Sequence, residues 1–464
     1  MSTDVEHSFR DTLYTIDKQG HRRWVYPAFL PGKWFTKRAV VAYLLMAFYL
    51  AMPWITINGN QGILFNIPER KFFLFGVEFW ATDTFFLVLI LPSLAISLFF
   101  FTAMFGRVWC GWACPETVFL EFLFRPIERL IEGTPAQRLK LDQSPWNFEK
   151  ISKKALKHGI SAASAWVLAS TALAYFVGRE PLIRMMSDYP WNNPLPFSLT
   201  LILMGIMAFQ FGWFREQFCT VVCPYARFQA VMMDSDSLVI GYDYTRGEPR
   251  GKHKKGQDSS QLGDCIDCGA CVRVCPTGID IRNGLQLECV ACTACADACD
   301  AIMDHIEKPR GLIRYDTEHS LRGEVTKFLR PRLVVYCAIL LTYGALFYHF
   351  LAVRIPYDFE VLRASGEAPF SVVSDGKVMN HFMLRISNKS RATRHFQLSG
   401  GPEGVQFTAP IREVDVIAGE IKDLPLFVQF DKQALVAGKL PVAVSVVVDD
   451  GSKLERKITL IGPS

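Results

Sequence analysis

Five stretches of this chain are apolar for long enough to cross a bilayer: residues 39–57, 82–105, 160–177, 197–214 and 333–353. Each is close to the ~20 residues that a membrane helix needs. In hydrocarbon an open backbone satisfies its own hydrogen bonds only as helix, so these runs constrain the fold before any motif is considered. Buried core helices of a soluble protein are the alternative, and five such runs are too many for it. Charged residues still make up 20% of the 464, so only part of the chain lies in lipid. Pro92 falls inside the second run, where a neighbouring helix must re-satisfy the carbonyl it frees.

Basic residues fix the expected orientation. Residues 1–38 carry seven Lys or Arg, 106–158 nine and 215–332 sixteen, against two each in 58–80 and 178–196. By the positive-inside rule the N-terminal segment 1–38, the middle connection and the long third connection face the cytoplasm, and residues 355–464 lie outside. The first 38 residues lack the short basic head and apolar core of a cleavable signal peptide. The outer connection 62–80 is expected to be a loop capping the bundle, in preference to a small hairpin. A net charge of +5 is too small to argue for nucleic acid as a partner.

Twelve of the thirteen cysteines fall in four clusters. All four lie on the expected cytoplasmic side, where a reducing environment suits thiolate-held metal. Within residues 262–306 the run C-x2-C-x2-C-x3-C occurs twice, as Cys265, Cys268, Cys271, Cys275 and as Cys289, Cys292, Cys295, Cys299. Three closely spaced thiolates wrap one face of a cubane, and in two-cluster ferredoxins the fourth Cys of each run serves the other cube. One [4Fe-4S] cluster is therefore expected on Cys265, Cys268, Cys271 and Cys299, the other on Cys289, Cys292, Cys295 and Cys275. Zinc sites rarely use this spacing. The second run departs from the first at Thr293, where the first has Gly269, and at Asp300, where the first has Pro276.

The remaining four cysteines follow spans two and four. Cys110-Gly-Trp-Ala-Cys114-Pro115 and Cys219-Thr-Val-Val-Cys223-Pro224 share the pattern C-x3-C-P at an offset of 109 residues, which Phe119 and Phe228 share. The offset suggests that residues 39–232 form a four-helix membrane domain from two parallel two-span repeats, related by an axis along the membrane normal. Cysteines at i and i+4 share one face of a helix, so two pairs at one depth are expected to make a four-thiolate site. Soft thiolates select Cu(I), zinc or iron–sulfur. The alternative is four small buried residues that let helices pack closely. Cys337 in span five is read as packing, and Met185, Met186, Met204 and Met207 as apolar filler more than as copper ligands.

Residues 245–261 are polar, basic and Gly-rich and read as a tether, with Lys252, His253, Lys254 and Lys255 solvated. Residues 355–464 alternate short β-prone runs (378–387, 395–398, 423–429, 441–448, 454–461) with turn signals, including Asp450-Gly451. That pattern suggests an immunoglobulin-like sandwich, with His381 and His395 as ordinary strand residues. No G-x-G-x-x-G follows a strand, so a tightly bound nucleotide is not indicated. The fold class expected is a five-helix transmembrane bundle with a cytoplasmic ferredoxin-like double [4Fe-4S] insert and a C-terminal immunoglobulin-like β-sandwich.

The two C-x3-C-P motifs, the double cubane run ending Cys295-Ala-Asp-Ala-Cys299-Asp300, the stretch Gly311-Leu-Ile-Arg-Tyr315, the fifth span and a β-rich tail ending Ile461-Gly-Pro together resemble the CcoG family, also called FixG or RdxA. The resemblance covers nearly the whole chain. NapH and NosR electron-transfer proteins share the cysteine motifs in part but not the sandwich. The family resemblance implies an accessory protein for assembly of cbb3-type cytochrome c oxidase in the bacterial inner membrane. It further implies a cupric reductase that works with a copper-exporting P-type ATPase and oxidase assembly factors, with copper at Cys110, Cys114, Cys219 and Cys223. The electron donor is unknown, and a second copy of the chain is a candidate partner. Two rivals stand beside it: an electron-relay subunit between a quinol pool and a partner reductase, and a non-redox scaffold for oxidase subunits.

Overall fold

The computed structural model describes residues 14–16, 19, 21–67, 71–80, 84–252, 261–353, 355–364, 368–373, 376–390, 392–399, 404–410 and 412–463. Two compact units are present, Met1–Phe347 and Tyr348–Ser464.

In the first unit, helix α1 (Lys33–Ala51) opens the bundle. It starts six residues before the expected span and ends before Pro53, which cannot continue a helix. The outer connection is not a loop. It folds as a three-stranded antiparallel meander of β1 (Ile63–Asn66), β2 (Lys71–Leu74) and β3 (Val77–Trp80). The turn that closes β2 on β3 is Phe75-Gly76, with φ of 50° and 82°. Positive φ at both residues of a two-residue loop matches the twist of the flanking strands. A phenylalanine there hides the signal that Asn-Gly would have given.

Helix α2 (Thr84–Phe105) runs through Pro92. The middle connection is then helical throughout: α3 (Val108–Trp112), α4 (Pro115–Phe119), a π-helical turn Leu120–Phe124, α5 (Arg125–Glu132) and α6 (Pro135–Gln143). Helix α7 (Phe148–Val177) is 30 residues long and begins well before the apolar stretch. Its basic first turns stay helical because carboxylates receive them. Lys157 Nζ lies 2.8 Å from Glu132 Oε1, and Lys154 Nζ lies 2.8 Å from the same oxygen and 2.6 Å from Asp142. Arg138 joins Glu128 at 2.7 Å. Buried charges are retained when paired in this way.

Helix α8 (Pro194–Phe209) packs along α7 and is extended by a π-helical turn, Gln210–Phe214. A third π-helical turn, Phe218–Val222, leads into α9 (Pro224–Met232). Strand β4 (Val239–Tyr242) precedes the cysteine-rich module. That module contains α10 (Ala270–Arg273) and α11 (Ala294–His305). Strand β5 (Ile313–Asp316) pairs with β4. The module's core includes Ile240, Tyr242, Met303, Leu312 and Ile313. Helix α12 (Pro331–Ala352) completes, among the described residues, five helices long and apolar enough to cross a membrane. Cys337 is exposed on α12, so it is not the packing residue expected. Met204 and Met207 pack on Leu120, Phe124 and Phe211, and Met186 on Leu173 and Leu182.

The second unit is a two-sheet sandwich. Its strands are β6 (Tyr357–Arg363), β7 (Ser371–Val372), β8 (Lys377–Asn388), β9 (Arg394–Leu398), β10 (Val405–Thr408), β11 (Glu413–Val416), β12 (Ile421–Asp431), β13 (Lys439–Val448) and β14 (Lys453–Ile461). One sheet has the order β10-β12-β8-β6, with β7 also on β8, and the other β11-β9-β13-β14. Inward residues alternate strictly along β8, from Val378 through Asn388, as a half-buried strand requires. The side chain of Asn380 joins the sheets: it donates to Ile461 O and accepts from Ile461 N, both at 2.8 Å. His381 stacks on Phe427 and His395 bonds Asp415. Of the tether, only residues 245–252 and 261 are described; His253, Lys254 and Lys255 lie outside the described residues.

Candidate functional site

Both C-x2-C-x2-C loops adopt one backbone. Asp267 and Gly269 in the first, and Ala291 and Thr293 in the second, all have φ between 51° and 65°. Alternating right- and left-handed residues turn successive N–H groups inward to form an anion-binding concavity. Thr293 thus takes the left-handed conformation that costs Gly269 nothing, and its hydroxyl donates to Cys292 O at 2.6 Å. Asp300 also has a role: its carboxylate accepts from Gly311 N at 2.9 Å, holding the chain where it enters β5.

Two hollows lie between these loops. Cys265, Cys268, Cys271 and Cys299 line one, walled by Ile302, Met303 and Leu312. Cys275, Cys289, Cys292 and Cys295 line the other with Cys271, walled by Ile240, Ile279 and Val290. Four thiols around an apolar hollow suit a cubane's donor requirement. Burial pushes the thiols of Cys271, Cys289 and Cys292 up to about 11 and Cys299 to about 12. Only a cationic core would hold them as thiolates at neutral pH.

The membrane-edge cysteines do not share one helix face. Cys110 sits in α3, whereas Cys114 is the extended residue before Pro115. Cys219 sits in a π-helical turn, and Cys223 is the extended residue before Pro224. Cys114 and Cys223 have nearly equal dihedrals (φ −62°, ψ 127° and φ −63°, ψ 112°). A residue before proline is driven out of the helical region by the ring, so the trailing proline in each motif breaks the helix between its cysteines. The two breaks still meet. Cys110 feels the charge of Cys114 and Cys223, and Cys219 that of Cys110 and Cys114. Gln229, fully buried, lies 3.4 Å from Cys110 Sγ. Among the described residues, no three His, Cys, Asp or Glu side chains converge tightly enough to enclose a single ion.

The second cluster loop is seated directly on the first C-x3-C-P segment. Arg107 donates to Cys289 O and to Ala226 O, each at 3.1 Å, and also to Leu287 O. Arg38, reaching from α1, donates to Gly111 O at 2.8 Å and to Cys292 O at 2.5 Å. Trp112 Nε1 donates to Tyr315 OH, which donates to Ala291 O, both at 2.9 Å. A Cβ on Gly111 would lie 2.3 Å from Ala291 O. One small hollow is lined by both Cys219 and Cys292, with Arg38, Glu116, Arg125 and Glu216 around it. Glu116 is buried and accepts from Gln210 at 2.9 Å. Desolvation pushes its carboxyl up to about 8, against the Gln210 hydrogen bond and aided by the Glu216 charge.

Sequence reasoning missed Arg38, Arg107, Trp112, Glu116 and Gln229. Each lies within a few residues of a cysteine motif or at a span's basic end, where charge invites assignment to lipid headgroups. The Gly111 contact was signalled only by a glycine between two cysteines.

Three family models match this chain: a 4Fe-4S binding domain over residues 85–133, a 4Fe-4S dicluster domain over 214–318, and the IG-like fold at the C-terminus of FixG over 347–463. The chain is 33% identical to the nitrogen fixation protein FixG of Rhizobium meliloti (strain 1021), over 94% of this chain and 92% of that one. It is 35% identical to protein RdxA of Cereibacter sphaeroides over 81% of each chain, and 36% identical to protein RdxB of the same organism over 82% of each. The dicluster domain matched over 214–318 contains all eight cysteines of the double run, and the chain's cofactors include two [4Fe-4S] clusters.

Proposed function

The chain belongs to the FixG/RdxA family, and on that premise we propose that this membrane iron–sulfur electron-transfer protein reduces Cu(II) to Cu(I). Cys265, Cys268, Cys271 and Cys299 hold one cubane and Cys275, Cys289, Cys292 and Cys295 the other. When bound, the two clusters supply one-electron transfer. Copper is the substrate, held by Cys110, Cys114, Cys219 and Cys223. One electron converts Cu(II) to Cu(I), and soft thiolates then favour the product. The cuprous ion passes to a copper-exporting P-type ATPase and to cbb3-type oxidase assembly factors. The bundle spans the bacterial inner membrane, with the N-terminus and cluster module cytoplasmic and the sandwich periplasmic, following the basic loops.

The hollow lined jointly by Cys219 and Cys292 carries this reading. Cys219, a thiol of the proposed copper site, and Cys292, a thiol of the proposed cluster, line one small space. Arg38 and Arg107 fix the cluster loop there. Replacing Cys110, Cys114, Cys219 and Cys223 with Ser should abolish copper retention and Cu(II) reduction by dithionite-reduced protein, with the visible iron–sulfur absorbance intact. Undiminished reduction in that variant would sink the assignment.

A second reading has its own support. The 4Fe-4S domain matched over residues 85–133 contains Cys110 and Cys114, and the four thiols do not close on a single ion. A third cubane spanning the two breaks would extend the relay to the membrane edge. Iron analysis separates the readings: two cubes give eight irons per chain and three give twelve.

A further inference from the structure

Apart from these sites, a cavity of about 330 Å³ opens between the N-terminal segment, the first turns of α1, helices α5 and α6, and the second cluster loop. Its walls include Phe29, Leu30, Phe35, Arg38, Pro276 and Cys292. We propose that electrons enter here, from a lipid-soluble quinol. The inference rests on Cys292 as a cluster ligand, and it holds whether or not copper is the final acceptor.

The size is that of a small-molecule site, and Cys292 brings a bound ring against the second cluster's ligand shell. The mouth is apolar: Phe29 and Leu30 are 42% and 44% exposed. It lies beside the first turns of a membrane span, within reach of a ligand dissolved in lipid. Inside, Arg38 is 2% exposed, and its Nη2 has no hydrogen-bond partner. Its other nitrogens are committed to Gly111 O and Cys292 O. A buried unpaired N–H is costly, and a quinol or quinone oxygen would satisfy it.

Phosphate-bearing donors fit less well. A helix N-terminus attracts phosphate through its free N–H groups, and both helix starts at this cavity are closed from within the chain. Asp297 accepts from Trp34 N and Phe35 N at 3.0 and 2.7 Å. Thr134 and Gln137 form a capping box at the start of α6. Arg125 is paired with Glu121 and Glu216, and Arg138 with Glu128. The Arg129 guanidinium lies over the Phe29 ring at 3.8 Å. The cavity therefore offers a ring slot beside two buried guanidinium nitrogens that lack a hydrogen bond, Arg38 Nη2 and Arg138 Nε.

The step balances. A quinol breaks its two O–H bonds, releases two protons to water at the open mouth and leaves as the quinone. Its two electrons are accepted singly, one by each cubane.

The test uses the full chain in lipid nanodiscs, with clusters oxidised and no copper present. An azido-naphthoquinone should photolabel the peptide containing residues 27–38, in cluster-loaded and cluster-free protein alike. A short-tailed naphthoquinol should bleach the clusters. Leu30→Trp, which narrows the mouth, should slow that bleaching at least about ten-fold with dithionite reduction unchanged, and Arg38→Gln should slow quinol bleaching likewise. Leu30→Trp guards against misfolding of the Arg38 variant. Labelling only elsewhere, or bleaching of Leu30→Trp at the wild-type rate, overturns the proposal. So does reduction by NADH but not by the quinol. Cu(II) added to dithionite-reduced protein tests the copper reading separately.

Discussion

Arg107, at the foot of the second span, donates to the carbonyl oxygen of Cys289 across 3.1 Å. A second N–H of the same guanidinium reaches Ala226 in α9, again at 3.1 Å. One side chain thus ties the Cys289 loop to the segments that carry both C-x3-C-P motifs. Arg107→Leu removes the donor to the part-buried carbonyls of Cys289 and Ala226, at about 1 kcal/mol each. Faster hydrogen exchange across residues 285–292 is expected, and at least about ten-fold slower Cu(II) reduction, with iron content retained. An unchanged reduction rate would show that this seating does not matter for transfer.

Gly111→Ala tests the same seam by sterics. The new Cβ would meet Ala291 O at 2.3 Å and Val290 O at 3.0 Å, both backbone atoms. Gly205→Ala is the control, since a Cβ at Gly205 meets nothing within 4 Å. The expected outcome is selective loss of the second cluster's EPR signal in Gly111→Ala, and an unaltered spectrum in the control.

Asn380→Ala removes both hydrogen bonds by which β8 holds the end of β14. Asn380 is fully buried, and Ile461 would keep an unpaired N–H and C=O. The sandwich should lose roughly 2–4 kcal/mol, read as a lower denaturation midpoint with unchanged slope. A loss below about 0.5 kcal/mol would mean that water replaces the side chain without penalty.

Glu116 gives a pH dependence with a definite sign. Its folded carboxyl is raised to about 8, so the folded state binds this proton more tightly than the unfolded state. Its burial costs nothing below the ordinary Glu range. The cost grows as pH rises from there to about 8, then stays flat. Glu116→Gln should therefore stabilise the protein on the order of 3 kcal/mol at pH 7, and by nothing near pH 4. A gain of equal size at both pH values would refute the assignment.

Long apolar runs and doubled cysteine spacings made the five spans and the cluster module legible in the sequence, because both depend on local composition. The ends of spans were less so. Helix α7 starts at Phe148 because Glu132 and Asp142 neutralise its basic turns, a tertiary effect invisible to hydropathy. The helix break inside each C-x3-C-P motif was encoded in Pro115 and Pro224, but i, i+4 spacing alone suggested a continuous face. The β1–β3 meander depends on left-handed Phe75, a residue that seldom marks a turn. Arg38 acts on Cys292 from 254 residues away, and no local pattern encodes such a contact.

The cap on the first membrane helix has a consequence for biosynthesis. Asp297, which closes the N-terminus of α1, stands 263 residues downstream of Trp34 and between Cys295 and Cys299. A ribosome delivers α1 to the membrane long before its cap exists, and the helix start stays uncapped until the cysteine-rich module is made and folds against it. Completion of the first transmembrane helix therefore waits on a segment 263 residues further along the chain. Chains truncated before Asp297 should be cut by protease near Gly32, where the full-length chain resists.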